Sequence, residues 1–86
     1  MPTISRFHGI KIAIFYGDHP PPHFHASHSG RQGRFSIDPP GRLDGDLPRT
    51  VVRKVLRWAR VHRRDLRADW HLAQWDEPLD PIPPLR

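Results

Sequence analysis

The chain has 86 residues, no cysteine, and fourteen basic against nine acidic side chains, a formal net charge of +5 at pH 7. That length fits one domain, which buries about 60–65% of its unfolded surface. The lack of cysteine excludes disulfides, thiolate metal sites and a cysteine nucleophile, and is in keeping with a reducing compartment. No apolar run reaches the roughly 20 residues of a membrane helix. The start, MPTISRFHG, lacks the charged-then-apolar pattern of a signal peptide, so a cytoplasmic protein without membrane contact is expected.

In chain order, Ile4 to Phe7 predicts a short strand that turns at His8-Gly9 into a second, Ile10 to Tyr16. In that second run Ile10, Ile12, Ile14 and Tyr16 share one face, and Lys11, Ala13 and Phe15 the other. Prolines 20 to 22 end it, because a proline has no N–H to give to a ladder. HFHASH (23–28) reads as another pleated run with Phe24 and Ala26 inward. GRFSIDPPGRLDGDL predicts two further short strands around the turn DPPG.

From Pro48 the period becomes helical, with Pro48 in the first turn and Asp46 as the expected N-cap. At about 100° per residue, Val51, Val52, Val55, Trp58, Ala59, His62, Leu66, Trp70 and Ala73 fall on one arc. Asp69 falls on the same arc, which predicts a bend or break between His62 and Asp65. His62 itself reads as a satisfied core histidine or as the point of the bend. After Trp75, DEPLDPIPPLR predicts an extended, polyproline-like tail. An exposed Trp75 beside it would mark contact with another chain.

Four of the seven histidines lie within DHPPPHFHASH (18–28). Alternate residues of a strand project together with Cα atoms about 6.5–7 Å apart, so His23 and His25 share a face. His19 or Asp18 can fold back over the prolines to join them, while His28 has the opposite parity. His19, His23, His25 and Asp18 are therefore candidate ligands for Zn²⁺, Cu²⁺ or Ni²⁺. A metal-free alternative uses His23 and His25 as general base and acid of a ribonuclease, with Arg34 or Arg31 as the cation and Tyr16 nearby. The bland alternative is a proline-stiffened turn capped by Asp18 and His19.

Twelve of the fourteen basic residues are arginine, which a GC-rich genome favours anyway. Arg49, Arg53, Arg57, Arg60, Arg63, Arg64 and Arg67 fall on the arc opposite the apolar one, with no carboxylate among them. Arginines spaced i,i+4 repel, and an anionic partner such as RNA, DNA or an acidic protein surface relieves that repulsion. A merely solvated helix face accounts for the same stripe.

Three segments, MPTISRFHGIKIAIFYGDHPPPHFHA, LPRTVVRKVLRWARVHRRDL and DWHLAQ, resemble a bacterial and archaeal family, domain of unknown function 4160. The resembling motif rests on His19, Pro21, His23, Phe24, His25, Ala26, Trp58, His62 and Trp70; His28 and the full arginine run lie outside it. The resemblance implies a small, stand-alone cytoplasmic protein without an assigned activity. It also implies gene neighbourhood with a second small family, domain of unknown function 2442, in a pairing like that of toxin and antitoxin.

The expectation is a single α+β domain over 1–86: a strand-rich half (1–47), a helical segment (48–75) and a proline-rich tail (76–86). A small antiparallel sheet of three to four strands packs against one bent helix or two. Ile10, Ile12, Ile14, Phe24, Ala26, Phe35, Ile37, Val52, Val55, Ala59, Leu66 and Trp70 are the expected core. The expected function is a basic partner-binding module of a toxin–antitoxin-like pair, contacting nucleic acid directly or through its partner, with a homodimer as an open alternative. An enzyme, either the histidine ribonuclease or a metal-dependent hydrolase, and a metal sensor are the competing readings. No cofactor is expected, with Zn²⁺ or another divalent ion as the one candidate.

Overall fold

The computed structural model describes residues 2–86. Five strands follow one another as an antiparallel meander: β1 (Thr3–Phe7), β2 (Ile10–Ala13), β3 (His23–His28), β4 (Arg31–Ile37) and β5 (Pro40–Gly45). Two helices follow, α1 (Arg49–Val61) and α2 (Arg63–Gln74). The α+β class stands, with a sheet slightly larger than the three to four strands expected.

Two of the turns are dictated locally. His8-Gly9 joins β1 to β2 and Ser29-Gly30 joins β3 to β4, and all four residues have positive φ, between 49° and 79°. Two-residue hairpins favour this left-handed pair because its twist matches the strands, and glycine occupies the second position without steric cost.

β2 ends at Ala13, three residues before the expected end. Ile14 is still buried and its N–H reaches the Pro2 carbonyl at 3.3 Å, but Tyr16 turns outward and is 43% exposed. The alternation therefore holds to Ile14, and there the chain leaves the sheet for the loop of residues 14–22.

Phe24, Ala26, Phe35, Ile37, Ile10 and Ile12 form one face of the sheet and are buried against Val55, Trp58, Ala59 and Leu66 of the helices. Of the expected core only Val52 is incompletely buried. Trp58 is fully buried, with its ring 5.4 Å from Phe7 and 5.9 Å from Phe24, centroid to centroid.

The helical segment breaks at His62, within the expected stretch, although Asp69 stays on the buried side of α2. His62 is half-buried, with its ring 5.6 Å from Trp58 and Nδ1 3.4 Å from the Asp65 carboxylate. α2 then runs along one end of the sheet. Arg63 and Arg67 reach Asp38 at the β4–β5 turn (3.1 and 3.6 Å), and Trp70 packs on His23 at the start of β3. Ala73 and Gln74 meet the loop of residues 14–22.

Asp46 is not the N-cap of α1. Pro48 stands at that position without a side-chain cap, and the Asp46 carboxylate accepts the Gln32 N–H at 3.1 Å instead. Gln32 lies just beyond the last β4–β5 pair, Gly33 with Gly45, so its N–H is free to take the carboxylate.

The tail is extended, as its prolines require, and it is docked. Ile82 is buried, its N–H donates to the Ile4 carbonyl at 2.7 Å, and Trp58 Nε1 donates to the Pro83 carbonyl at 2.9 Å. Trp75 remains 70% exposed. Among the described residues no helix is long and apolar enough to cross a membrane.

Asp69 explains its place on the apolar arc by holding the tail. It is 1% exposed, and Oδ1 accepts the Asp80 N–H at 2.9 Å, while Oδ2 has no partner among the described residues. Burial, aided by the charges of Asp80 and Asp65 against that one hydrogen bond, raises its pKa from 3.8 to about 6. The folded state thus holds this proton more tightly than the unfolded chain. The stability it contributes is complete below its ordinary pKa and is lost as pH rises through about 6. Urea denaturation across this range should show a decline on the order of 2–3 kcal/mol from this group. Asp69→Asn should flatten that decline, and an unchanged slope in the variant would refute the assignment.

Candidate functional site

The loop of residues 14–22 decides where Asp18 goes. Gly17 N–H donates to the Ala73 carbonyl (3.2 Å) and the Gln74 side-chain amide to the Asp18 carbonyl (3.2 Å), so the end of α2 clamps the loop backbone. Pro20 to Pro22 then return the chain to the sheet, where the Pro22 carbonyl accepts the Ile37 N–H. The result places the Asp18 side chain over the first residues of β3.

There Asp18 Oδ2 lies 2.8 Å from His23 Nε2 and 3.2 Å from His25 Nε2. One ligand atom from each of the three residues falls within 4.8 Å of the others. Asp18 Oδ1 accepts the His19 N–H at 2.9 Å, which fixes the carboxylate plane and turns Oδ2 to the histidines. Burial raises the Asp18 pKa, but the His25 hydrogen bond, the His19 N–H and His23 together outweigh it and hold the carboxyl below its ordinary value.

His23 is 5% exposed, with Trp70 5.2 Å away, ring centroid to ring centroid. Its Nδ1 is 2.8 Å from the Pro21 carbonyl, an oxygen that can only accept, so Nδ1 carries a proton. A neutral His23 therefore turns the lone pair of Nε2 toward a carboxylate oxygen. That contact is repulsive unless a second proton or a cation intervenes. A backbone carbonyl on the far nitrogen is also the usual way in which a metal-ligating imidazole is oriented. His25 is braced by Phe15, ring centroids 4.1 Å apart, and both His25 and Asp18 retain 22% side-chain exposure.

Two atoms each about 2.1 Å from one ion, and about 90–110° apart around it, are about 3.0–3.4 Å from each other. The two contacts of Asp18 Oδ2, at 2.8 and 3.2 Å, are close to such edges, and the third separation, between the histidines, falls within the wider limit of 4.8 Å. Two imidazoles and a carboxylate are a donor set that would suit Zn²⁺ or Fe²⁺.

The other expected site residues divide. His19 is exposed and contributes its backbone N–H rather than its ring. His28 lies near Gly9, at the far end of β3. Arg34 stands beside His25 in register on β4, and is held by Asp44 through Nε (2.9 and 3.1 Å) and Nη2. That hydrogen bond and its charge raise the arginine pKa and lower the Asp44 carboxyl. Arg31 pairs with His28 across the strands, at the opposite end of β3 from His23. Tyr16 is exposed on the loop. Sequence reasoning missed the supports, namely Pro21 O, Phe15, Trp70 and Gln74. Gln74 lies 56 residues from its partner Asp18, and no local pattern announces such a contact.

Arg49, Arg53, Arg57, Arg60, Arg64 and Arg67 are all exposed. Those of α1 lie opposite its buried side, whereas His25 projects from the sheet face that α1 does not cover. Among the described residues the ion pairs of the helix arginines are those of Arg63 and Arg67 with Asp38.

Searches among curated proteins and among solved structures return no match. A family model described as Domain of unknown function (DUF4160) matches residues 9–71, a stretch that carries Asp18, His23, His25 and Trp70. With most of the sheet, all of α1 and the three clustered side chains inside the match, the chain belongs to the DUF4160 family.

Proposed function

We propose that this protein is a small metal-dependent hydrolase whose single divalent ion is held by Asp18, His23 and His25. The observation that carries the reading is the convergence of Asp18 Oδ2 and the two Nε2 atoms within 4.8 Å, with His23 oriented by a backbone carbonyl. A structural role for the ion is less apt, because the apolar core is complete without it and structural zinc is usually enclosed by four protein ligands. Three ligands leave room for a water, whose pKa on zinc falls to about 7, so that hydroxide is available near neutrality. Asp18, His23 and His25 would hold the ion, and the ion would supply a water acidified for hydrolytic attack. The test is metal content and calorimetric titration of tag-free protein with Zn²⁺, Mn²⁺ and Fe²⁺. One ion per chain is expected, and failure of all three to bind above background would sink the reading.

A second reading, an anionic partner on the helical segment, is favoured by a specific observation: Arg53, Arg57, Arg60 and Arg64 are exposed and have no carboxylate in ion-pair contact among the described residues. The partner is RNA or DNA, or the small protein of the domain of unknown function 2442 family in a toxin–antitoxin-like pair. Charge reversal at Arg53, Arg57 and Arg60 should weaken nucleic-acid binding and reduce the slope of log affinity against log salt by about 2–3. An unchanged slope would leave the stripe as a solvated face. Because α1 and His25 lie on different sides of the sheet, this binding should survive loss of the histidines.

A further inference from the structure

The face of the sheet turned away from the helices is not uniform. Two rows of side chains cross it in register. One row runs Ala13, His25, Arg34, Asp44 and the next runs Lys11, Ser27, Gln32. Rows on one face are about 7 Å apart and neighbouring strands about 4.8 Å apart, so Lys11 and Arg34 stand about 12 Å apart at Cα, a span their long side chains can close on a small anion.

Two depressions meet at His25. One is lined by Lys11, Ala13, Phe15, Ser27 and Gln32, and the other, of about 350 Å³, by Gln32, Gly33, Arg34 and Asp44. Ala13 supplies a low floor, and Lys11 and Arg34 stand at opposite sides. Among the described residues Lys11 has no carboxylate within ion-pair distance, and Arg34 has Asp44 alone. The Asp44 pair uses Nε and Nη2 of Arg34 and leaves the Nη1 donors for a ligand.

We propose that Lys11, Ser27, Gln32 and Arg34 form an anion subsite beside His25 that takes a small phosphate-bearing ligand. Two cations, a hydroxyl and an amide together offer several donors, which match the several acceptor oxygens of a phosphate dianion better than the two of a carboxylate. Asp44 holds Nε and Nη2 of Arg34, so a ligand on the Nη1 donors must overcome the negative charge of Asp44 beside it. The subsite stands apart from the metal reading. What rests on that reading is the orientation: a phosphate on this patch places the neighbouring bond of its ligand about one strand repeat away, at the ion between His25 and Asp18.

The test is a titration with inorganic phosphate followed by amide NMR, in chelator and again with Zn²⁺ bound, and with acetate in parallel. Phosphate should shift Lys11, Ser27, Gln32 and Arg34, and acetate should bind at least about tenfold more weakly. Lys11→Ala and Arg34→Ala, both surface changes, should each weaken phosphate about tenfold. Asp44→Asn should tighten it by removing the negative charge beside Arg34, an effect of opposite sign that damage to the fold does not mimic. Shifts confined to the helix arginines, equal affinity for acetate, or indifference to the Lys11 and Arg34 changes would overturn the subsite. Failure to load Zn²⁺ removes the hydrolase reading, while the titration in chelator still decides the subsite by itself.

Discussion

Replacing His23 and His25 together by alanine is expected to abolish stoichiometric metal uptake while leaving a folded domain. A structural zinc site of four ligands binds with roughly 10–16 kcal/mol, so each ligand is worth about 3 kcal/mol or a hundredfold in affinity. Losing two should carry the dissociation constant out of reach of a micromolar titration. Asp18→Asn is the sharper variant, since it preserves the shape and the Oδ1 contact with the His19 N–H while removing the anionic ligand. About a hundredfold weakening is expected from it. Gln74→Ala touches no ligand atom but frees the Asp18 backbone from α2, and should cost about tenfold through looser positioning. Calorimetry on the four proteins orders these effects. Equal affinity in wild type and Asp18→Asn would exclude the carboxylate from the site, and equal uptake by the double variant would end the metal reading.

Trp58→Ala is expected to cost about 3–5 kcal/mol, the range for deleting a large buried aromatic side chain. Trp58 has no exposed surface and is braced by Phe7, Phe24 and His62, so little of the resulting cavity can be filled by rearrangement. A domain of this length has about 4–13 kcal/mol in total, and the variant should be largely unfolded if the protein lies at the low end. Trp58→Phe separates two contributions. It keeps most of the packing but deletes the Nε1–H bond to the Pro83 carbonyl, and should cost only about 1–2 kcal/mol. Hydrogen exchange should then be faster at Ile82, whose N–H binds β1, than at Phe24 in the centre of the sheet. Unaltered exchange at Ile82 would show that the indole does not hold the tail.

Where local rules govern the fold, the amino-acid order is enough to reveal it. The Ile10, Ile12, Ile14 alternation, the His8-Gly9 turn, the inward Phe24 and Ala26, and the helical period after Pro48 each express a preference within a few residues. The break at His62 lies within the expected stretch, but not for the expected reason: Asp69 stays on the buried side, where it holds the tail. Asp46 shows the limit of such rules: it has the right chemistry for a cap, yet the Gln32 N–H on β4 takes it.

The pairing of His23 with His25 is likewise legible, because strand parity is a property of the chain. Parity does not say that Asp18, rather than His19, supplies the third group. That choice depends on Gln74 and Ala73 gripping the loop from the far end of α2 and on Pro21 turning a carbonyl to His23. The tail follows the same division. Its prolines dictate an extended path, but its docking on Ile4, Trp58 and Asp69 comes from elements up to 78 residues away along the chain. Periodicity records which way a side chain points along its own element. Which groups then meet is settled by long-range packing, where a hydrogen bond or a buried ring joins residues that no local spacing relates.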